Sequence, residues 1–396
     1  MQAERSDRKG AEQLFAEAFE CQGKGRFHHA IRLYLDYIEQ VPAAASAFNN
    51  LGNCLRSIGE NEKSIRYFEH ALRLEPGRVS SRLNLSLARL AVGDYLEAWP
   101  DYEARLETIE FRKELLKHPE YRWNGDPITG KKRLYVYANQ GLGDELQCLR
   151  FLPELYERAE RIVLELQAAT VSLLGDVPDH VQLVARGEEV PSFYNWCELF
   201  SLPGIFGITP ETIPETPPLV FRENPAIGRL IEERGRNRPD AMRVGLVWSG
   251  NPANSLNRFR ACGLGHMAAL LEVQGCQFFS LQKGLPATEI ESLGLGDRIV
   301  DLGPHLDDFA ATATAIRKLD LLITTDTSVP HLAGALGEKA WVLLHHPADW
   351  RWGMEGDSTP WYPSLQLYRQ ARMGDWGELV ERVSQDLAAA ARTARS

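Results

Sequence analysis

The sequence predicts an array of α-helical hairpins followed by a pair of parallel-sheet α/β lobes. Three observations predict it. A 34-residue period runs through the first third of the chain. A break rich in Pro, Gly and Asn follows at 118–133. From 134 onward, apolar β-rich runs alternate with helix-like stretches.

The period is clearest in 45–78, ASAFNNLGNCLRSIGENEKSIRYFEHALRLEPGR. Phe48, Leu51, Gly52, Gly59, Ser64, Phe68, Ala71 and Pro76 fill the slots of the tetratricopeptide (TPR) pattern. In 11–44, Leu14, Gly25, Ala30, Tyr34 and Pro42 match, while Glu17-Ala18 replace the Leu-Gly pair. In 79–112, Leu85, Gly93, Ala98 and Tyr102 match, while Ser86 replaces the Gly and Glu110 the closing Pro. The small residue lets two helices approach, and the aromatic four positions later fills the same face. The Gly allows the tight turn between helices. One hairpin cannot bury its apolar face alone, so about three in series are needed. The array is therefore placed at 1–117, with 118–133 as linker. A TPR groove commonly binds a peptide or protein; an array that only packs on its neighbour is the alternative.

The β-rich runs are 134–139, 161–167, 181–187, 243–248, 276–282, 298–303, 319–326, 339–345 and 365–370. Near-continuous apolar strands suit a sheet covered on both faces. They fall into two Rossmann-like lobes, 134–222 and 243–374, joined by a charged, turn-rich link at 223–242. An amphipathic helix is expected over 375–396.

Ligands of such sheets bind at the carboxyl ends of strands. Three regions there carry chemistry. After the first run comes NQGLGDELQ, in which Gly141 and Gly143 permit a tight turn. Asp144 beside them could serve as general base, or simply cap a helix. In the second lobe, Asn251, Arg258 and Arg260 follow one run and Lys283 the next. Cations at strand ends suit a diphosphate, although each alone is commonly a solvated surface charge. After 319–326 comes TTDTSVPHLAGALG, in which Thr327 and Ser328 open a helix and Pro330 suits its first turn. The N–H groups there make an anion site, flanked by Asp326 and His331. The GxGxxG fingerprint of dinucleotide enzymes is absent. Trp350 and Trp352, with Trp361 and Tyr362 nearby, could stack on a sugar or base, or fill a core.

On these strings the chain resembles bacterial TPR proteins whose C-terminal domain is similar to the heptosyltransferase (glycosyltransferase family 9) clan. More distantly it is similar to TPR-containing O-GlcNAc transferases. The strings are GLGDELQ, RVGLVWSGNP, FSLQKG, DTSVPHLAGALG and DWRW with STPWYP. The resemblance implies a GT-B fold and an inverting, metal-independent transfer from a nucleotide sugar. It implies Asp144 as base, Lys283 as donor-phosphate ligand, and 326–331 as the loop holding donor sugar and diphosphate. It implies a protein acceptor recruited by the repeats. Departures are Asn139, where many relatives carry an acid, and an Arg-rich loop thinned to Arg258 and Arg260.

Other properties narrow the class. A formal net charge of −10 gives no global basic face for nucleic acid. The six cysteines form no CxxC pair and no zinc spacing, which suits reduced thiols in the cytoplasm. No apolar run is long enough to span a membrane. No cofactor or metal is called for beyond the nucleotide sugar as donor substrate. Two alternatives stand beside a protein-directed transferase: a non-catalytic scaffold, and a glycan- or lipid-directed enzyme of the heptosyltransferase type.

Overall fold

A computed structural model describes residues 2–393 except 218, 220, 222 and 255, with side chains from residue 10 onward. Residue 222, the expected end of the first lobe, and the last three residues of the expected terminal helix lie outside the described residues. The chain divides into two compact units. The first comprises residues 1–118 with two later segments, 206–212 and 347–355. The second holds the rest.

The first unit is built from α1 (Gln2–Gly23), α2 (Phe27–Gln40), α3 (Ala45–Ser57), α4 (Asn61–Leu74), α5 (Val79–Ala91) and α6 (Tyr95–Tyr102). Gly25, Gly59 and Gly93 turn each hairpin with φ of 73°, 86° and 88°, a region in which a side chain is strained. Ala30, Ser64 and Ala98 are fully buried where the helices cross, and Tyr34, Phe68 and Tyr102 are buried one turn on. The fit is tight at Gly52, where a Cβ would stand 2.6 Å from the Phe68 ring. In the third hairpin, α6 lasts only eight residues, contains Pro100, and tightens into a 3₁₀ turn at Glu103–Thr108. Proline removes one backbone donor from the helical ladder, which favours that early change.

The second unit contains two all-parallel sheets. The smaller has β1 (Leu134–Tyr137), β2 (Ile162–Leu166), β3 (Val181–Ala185) and β4 (Asn195–Glu198) in the order β3-β2-β1-β4. Helices α7 (Leu142–Cys148), α8 (Leu152–Arg158), α9 (Ala168–Leu173) and α10 (Leu202–Ile205) accompany it. Both β1 and β2 are buried along their whole length, while β3, at the sheet edge, is buried only at Val181 and Val184.

Next comes α11 (Pro225–Gly235), capped by Asn224, whose side chain accepts the Ala226 N–H at 3.0 Å. The expected turn-rich link at 223–242 thus holds a three-turn helix. Its charges are those of a half-solvated helix, with Ile227 and Ile231 on the buried face.

The larger sheet has β5 (Met242–Val247), β6 (Cys276–Ser280), β7 (Ile299–Asp301), β8 (Leu321–Thr325), β9 (Ala340–Leu344) and β10 (Leu365–Arg369). Their order is β10-β9-β8-β5-β6-β7. The helices are α12 (Asn257–Arg260), α13 (Leu264–Met267), α14 (Glu289–Ser292), α15 (Phe309–Arg317), α16 (Ser328–Leu336) and α17 (Trp376–Thr393). The apolar stripe of α17, from Trp376 through Leu379, Val383 and Leu387, joins the core that covers β5, β6 and β8.

Candidate functional site

Each sheet has one place where the strand order reverses. In the larger sheet the chain runs outward from β5 to β6 and β7, then returns to β8 on the other side of β5. The loops after β5 and β8 therefore leave in opposite directions and open a crevice. In the smaller sheet the reversal lies between β1 and β4, at the loop that leads into α7. All three chemistry-bearing regions of the sequence lie at or beside these two points.

After β5, the backbone at Ser249 and Gly250 is shaped by amide side chains. Gln282, buried at the end of β6, accepts the N–H groups of Trp248 and Ser249 at 3.0 Å each and donates to the Ser249 carbonyl at 2.9 Å. Asn257 accepts the Gly250 N–H at 2.8 Å and donates to Ser249 Oγ at 3.1 Å. A Cβ on Gly250 would meet Asn257 at 2.9 Å and the Thr327 methyl at 3.6 Å. The loops after β5 and β8 therefore run side by side. Arg260 Nε approaches the buried Asp326 carboxylate at 3.3 Å, tying the same two loops by charge.

The predicted donor residues take distinct positions. Thr327 caps α16, its hydroxyl accepting the Val329 N–H at 3.2 Å, and Ser328 is the first helical residue. Asn251 is exposed and accepts the Ala253 N–H at 3.0 Å within its own turn. Arg258 is exposed, with its guanidinium 4.6 Å from the Phe259 ring centre. Lys283 follows β6, and its Nζ donates to the Gly303 carbonyl at 2.8 Å. One of its three donors is thereby committed to the end of β7.

The first turn of α7 carries Asp144, half-buried, whose Oδ2 accepts the Gly141 N–H at 3.0 Å. Asp144 is thus not itself the N-cap, which is Gly141, but the third residue of α7 reaching back to the N-cap N–H, and a carboxylate so held keeps further acceptor capacity. Gly143 lies against α16. A Cβ there would stand 2.8 Å from His331 Cδ2 and 3.4 Å from its Nε2. The two helix starts, one from each sheet, therefore meet at Gly143 and His331. His331 Nδ1 is 3.1 Å from the Tyr362 hydroxyl.

Trp350 and Trp352 do not belong here. Both are buried, and they lie in the segment 347–355 that folds with the helical array. Trp350 sits edge-on to Tyr95, Trp99 and Tyr102 at centroid distances of 5.8, 6.1 and 6.5 Å. The stacking role considered for this pair is replaced by packing. Nothing in the local sequence distinguishes an aromatic that faces a ligand from one that faces a distant helix.

Sequence reasoning missed Gln282, Asn257 and the neighbour of Asp144. Glu145 is buried and accepts from Gln167 N–H at 3.2 Å, Gln167 Nε2 at 2.7 Å and Thr170 Oγ1 at 2.6 Å. Gln167 Nε2 also donates to the Gln140 carbonyl at 3.3 Å, which ties the loop before α7 to the start of α9. Burial pushes the Glu145 carboxyl above its ordinary range, opposed by these hydrogen bonds and by Arg186. The one available signal was a second acid beside Asp144. No group of three or more His, Cys, Asp or Glu able to hold a metal occurs among the described residues. No described helix is long and apolar enough to cross a membrane.

Residues 45–78 match the family Tetratricopeptide repeat. The chain is 27% identical over 406 residues to Protein FlbA of Caulobacter vibrioides, covering 87% of this chain and 67% of that one. Among solved structures it is similar to a glycosyl transferase family 9 protein from Veillonella parvula, with 12% identity and a TM-score of 0.46, over 69% of this chain and 99% of that one. It is also similar to the ADP-heptose lps heptosyltransferase II of E. coli, with 12% identity and a TM-score of 0.41, over 67% of this chain and all of that one.

Proposed function

We propose that the chain is a glycosyltransferase of GT-B type that moves a sugar from a nucleotide-sugar donor to a protein hydroxyl with inversion, without a metal. The observation that carries the reading is the meeting of α7 and α16 at Gly143 and His331. It sets a carboxylate-bearing turn from one sheet beside a nine-residue helix start from the other, each at a strand-order reversal.

The chemistry follows from the placement. The donor diphosphate lies at the start of α16, where N–H groups and the helix dipole favour negative charge. Thr327, Ser328 and His331 line that start, and Lys283, Asn251 and Arg258 come from neighbouring strand ends. The acceptor oxygen attacks the anomeric carbon on the face opposite the diphosphate. Asp144 takes the hydroxyl proton as the new C–O bond forms. The bond to the diphosphate oxygen breaks, and that oxygen leaves with the electron pair. In-line attack of this kind inverts the anomeric centre. The helical array recruits the acceptor protein, a reading supported by the repeat pattern rather than by any one residue.

A thermal-shift screen of nucleotide sugars identifies the donor, because a ligand that binds only the folded state raises the melting temperature. Asp144→Asn should then lower kcat by about 10²–10⁴-fold, the usual contribution of a general base, with donor affinity unchanged. Lys283→Ala should weaken donor binding. Transfer unaffected by both substitutions would refute the mechanism. Failure of every nucleotide sugar and nucleoside diphosphate to bind in calorimetry would favour the scaffold alternative.

A further inference from the structure

The carboxyl ends of β5, β6 and β7 meet at one side chain. Gln282 is 3% exposed and lies two residues beyond the end of β6. Its Oε1 accepts the N–H groups of Trp248 and Ser249 at 3.0 Å each. Its Nε2 donates to the carbonyls of Ser249 at 2.9 Å and Lys283 at 3.0 Å. An amide has two lone pairs and two N–H donors, so all four positions are used. Every partner is a backbone group of fixed role, an N–H that donates or a carbonyl that accepts. Exchanging the amide oxygen and nitrogen would set donor against donor and acceptor against acceptor. The orientation of Gln282 therefore follows from its partners alone.

The end of β7 is pressed on the same residue. A Cβ on Gly303 would stand 2.5 Å from the Gln282 carbonyl oxygen. The Leu302 N–H donates to the Ser280 carbonyl at 3.0 Å, and Lys283 Nζ reaches the Gly303 carbonyl at 2.8 Å. The ammonium of Lys283 and the start of the loop after β5 thus take their places from one buried amide.

Asn257 supplies a second hold on that loop. Its Oδ1 accepts the Gly250 N–H at 2.8 Å, and a Cβ on Gly250 would meet that oxygen at 2.9 Å. Glycine is needed there by the clamp itself. The N–H groups of Trp248, Ser249 and Gly250 are each engaged by a side-chain amide. Backbone N–H groups spent in this way do not form a nest for phosphate oxygens. The part this stretch plays is steric, setting Gly250 beside the Thr327 methyl at the start of α16.

We propose that Gln282 is a positioning residue. It sets Lys283 and the loop after β5 at the carboxyl end of the larger sheet before a ligand arrives, and such preorganisation favours binding. The charged part of the ligand is met by Lys283 and the start of α16 rather than by the backbone of 248–250. That the ligand is a nucleoside diphosphate rests on the glycosyltransferase reading; the clamp does not.

The test pairs amide hydrogen exchange with calorimetry on the full chain. Gln282→Met keeps the side-chain length and removes all four bonds. Gln282→Glu keeps the two acceptor bonds and removes the two donor bonds. The Trp248 and Ser249 amides should be protected in the wild type, stay protected in Gln282→Glu, and lose protection in Gln282→Met. UDP and ADP should bind about tenfold more weakly to folded Gln282→Met, the scale of one lost hydrogen bond. A side chain that only stabilised the fold would lower the melting temperature and leave the affinity of the folded chain unchanged; that result overturns the positioning role. Trp248 and Ser249 amides that exchange freely in the wild type, or that ignore Gln282→Met, overturn the clamp. Should neither variant fold, Asn257→Ala releases the Gly250 N–H alone among the backbone groups; faster exchange at Gly250 with weaker nucleotide binding supports the role, and wild-type binding overturns it. If the amides respond as stated and neither nucleotide binds the wild type, the clamp stands and the donor reading falls.

Discussion

Gly143→Ala tests the meeting of the two helices most directly. The added methyl would stand 2.8 Å from His331 Cδ2, against 3.4 Å for ordinary contact, so the helices must part by about 0.6 Å. His331 cannot yield easily, because it is buried and its far side lies against Tyr362, which is itself pressed on Gly334. Overpacking of this kind costs about 1–3 kcal/mol. The larger consequence is geometric. Asp144 follows Gly143 directly, so the shift displaces the proposed base from the proposed donor site, and a misplacement near 1 Å can cost about 10²-fold. We expect a fall of about 10- to 100-fold in kcat/KM for sugar transfer, with a lowered melting temperature and weaker binding of nucleoside diphosphate. Gly265→Ala is the control, since no atom lies within 4 Å of its added Cβ. Wild-type melting, binding and turnover in Gly143→Ala would refute the contact as described.

Two further outcomes follow from buried groups. Between the ordinary carboxylate value near 4.5 and the raised value of Glu145, the folded chain holds a proton that the unfolded chain has lost. Stability therefore falls as pH rises through that window. Glu145→Gln keeps an acceptor for Gln167 and cannot titrate, so its stability relative to wild type should grow with pH across the window. Chemical denaturation at a series of pH values measures this, and a pH-independent difference would contradict it. Trp350→Ala removes a ring packed against three aromatic neighbours and should cost about 3–5 kcal/mol. Hydrogen exchange should rise in α5 and α6 before it rises in the α/β unit; uniform exchange would argue against the packing.

Much of this architecture was legible because it repeats. The 34-residue period carries its own register, and the positive-φ glycines and buried small residues fall where that register puts them. Nine of the ten strands among the described residues stand out as apolar runs. The tenth, β4, is four residues long and reads Asn-Trp-Cys-Glu, too short to show a period; it is a strand because it pairs with β1. Helix α11 was hidden by its charges. In the site, the sequence pointed to strand ends but not to the side chains that shape the loops. Gln282 is one amide in an ordinary string, and its importance comes from lying beside β5 in the sheet.

The tryptophan segment has a consequence for how the chain can be cut or recombined. Trp99 donates from Nε1 to the Ile208 carbonyl at 2.8 Å, Asn61 Nδ2 lies 2.9 Å from Met354 Sδ, and Trp350 completes the aromatic cluster of α6. The helical unit is thus assembled from three stretches of sequence, and no single point on the chain is its border. Deleting residues 1–112 would leave Trp350 and Ile208 without their cover, so a change of activity in such a fragment would be confounded with a loss of folding. The same holds for transplanting the repeats onto another α/β domain, or for their exchange by gene fusion. The repeats and the two segments that complete them must travel together, and point substitutions on the array surface are the sound way to ask whether it selects an acceptor.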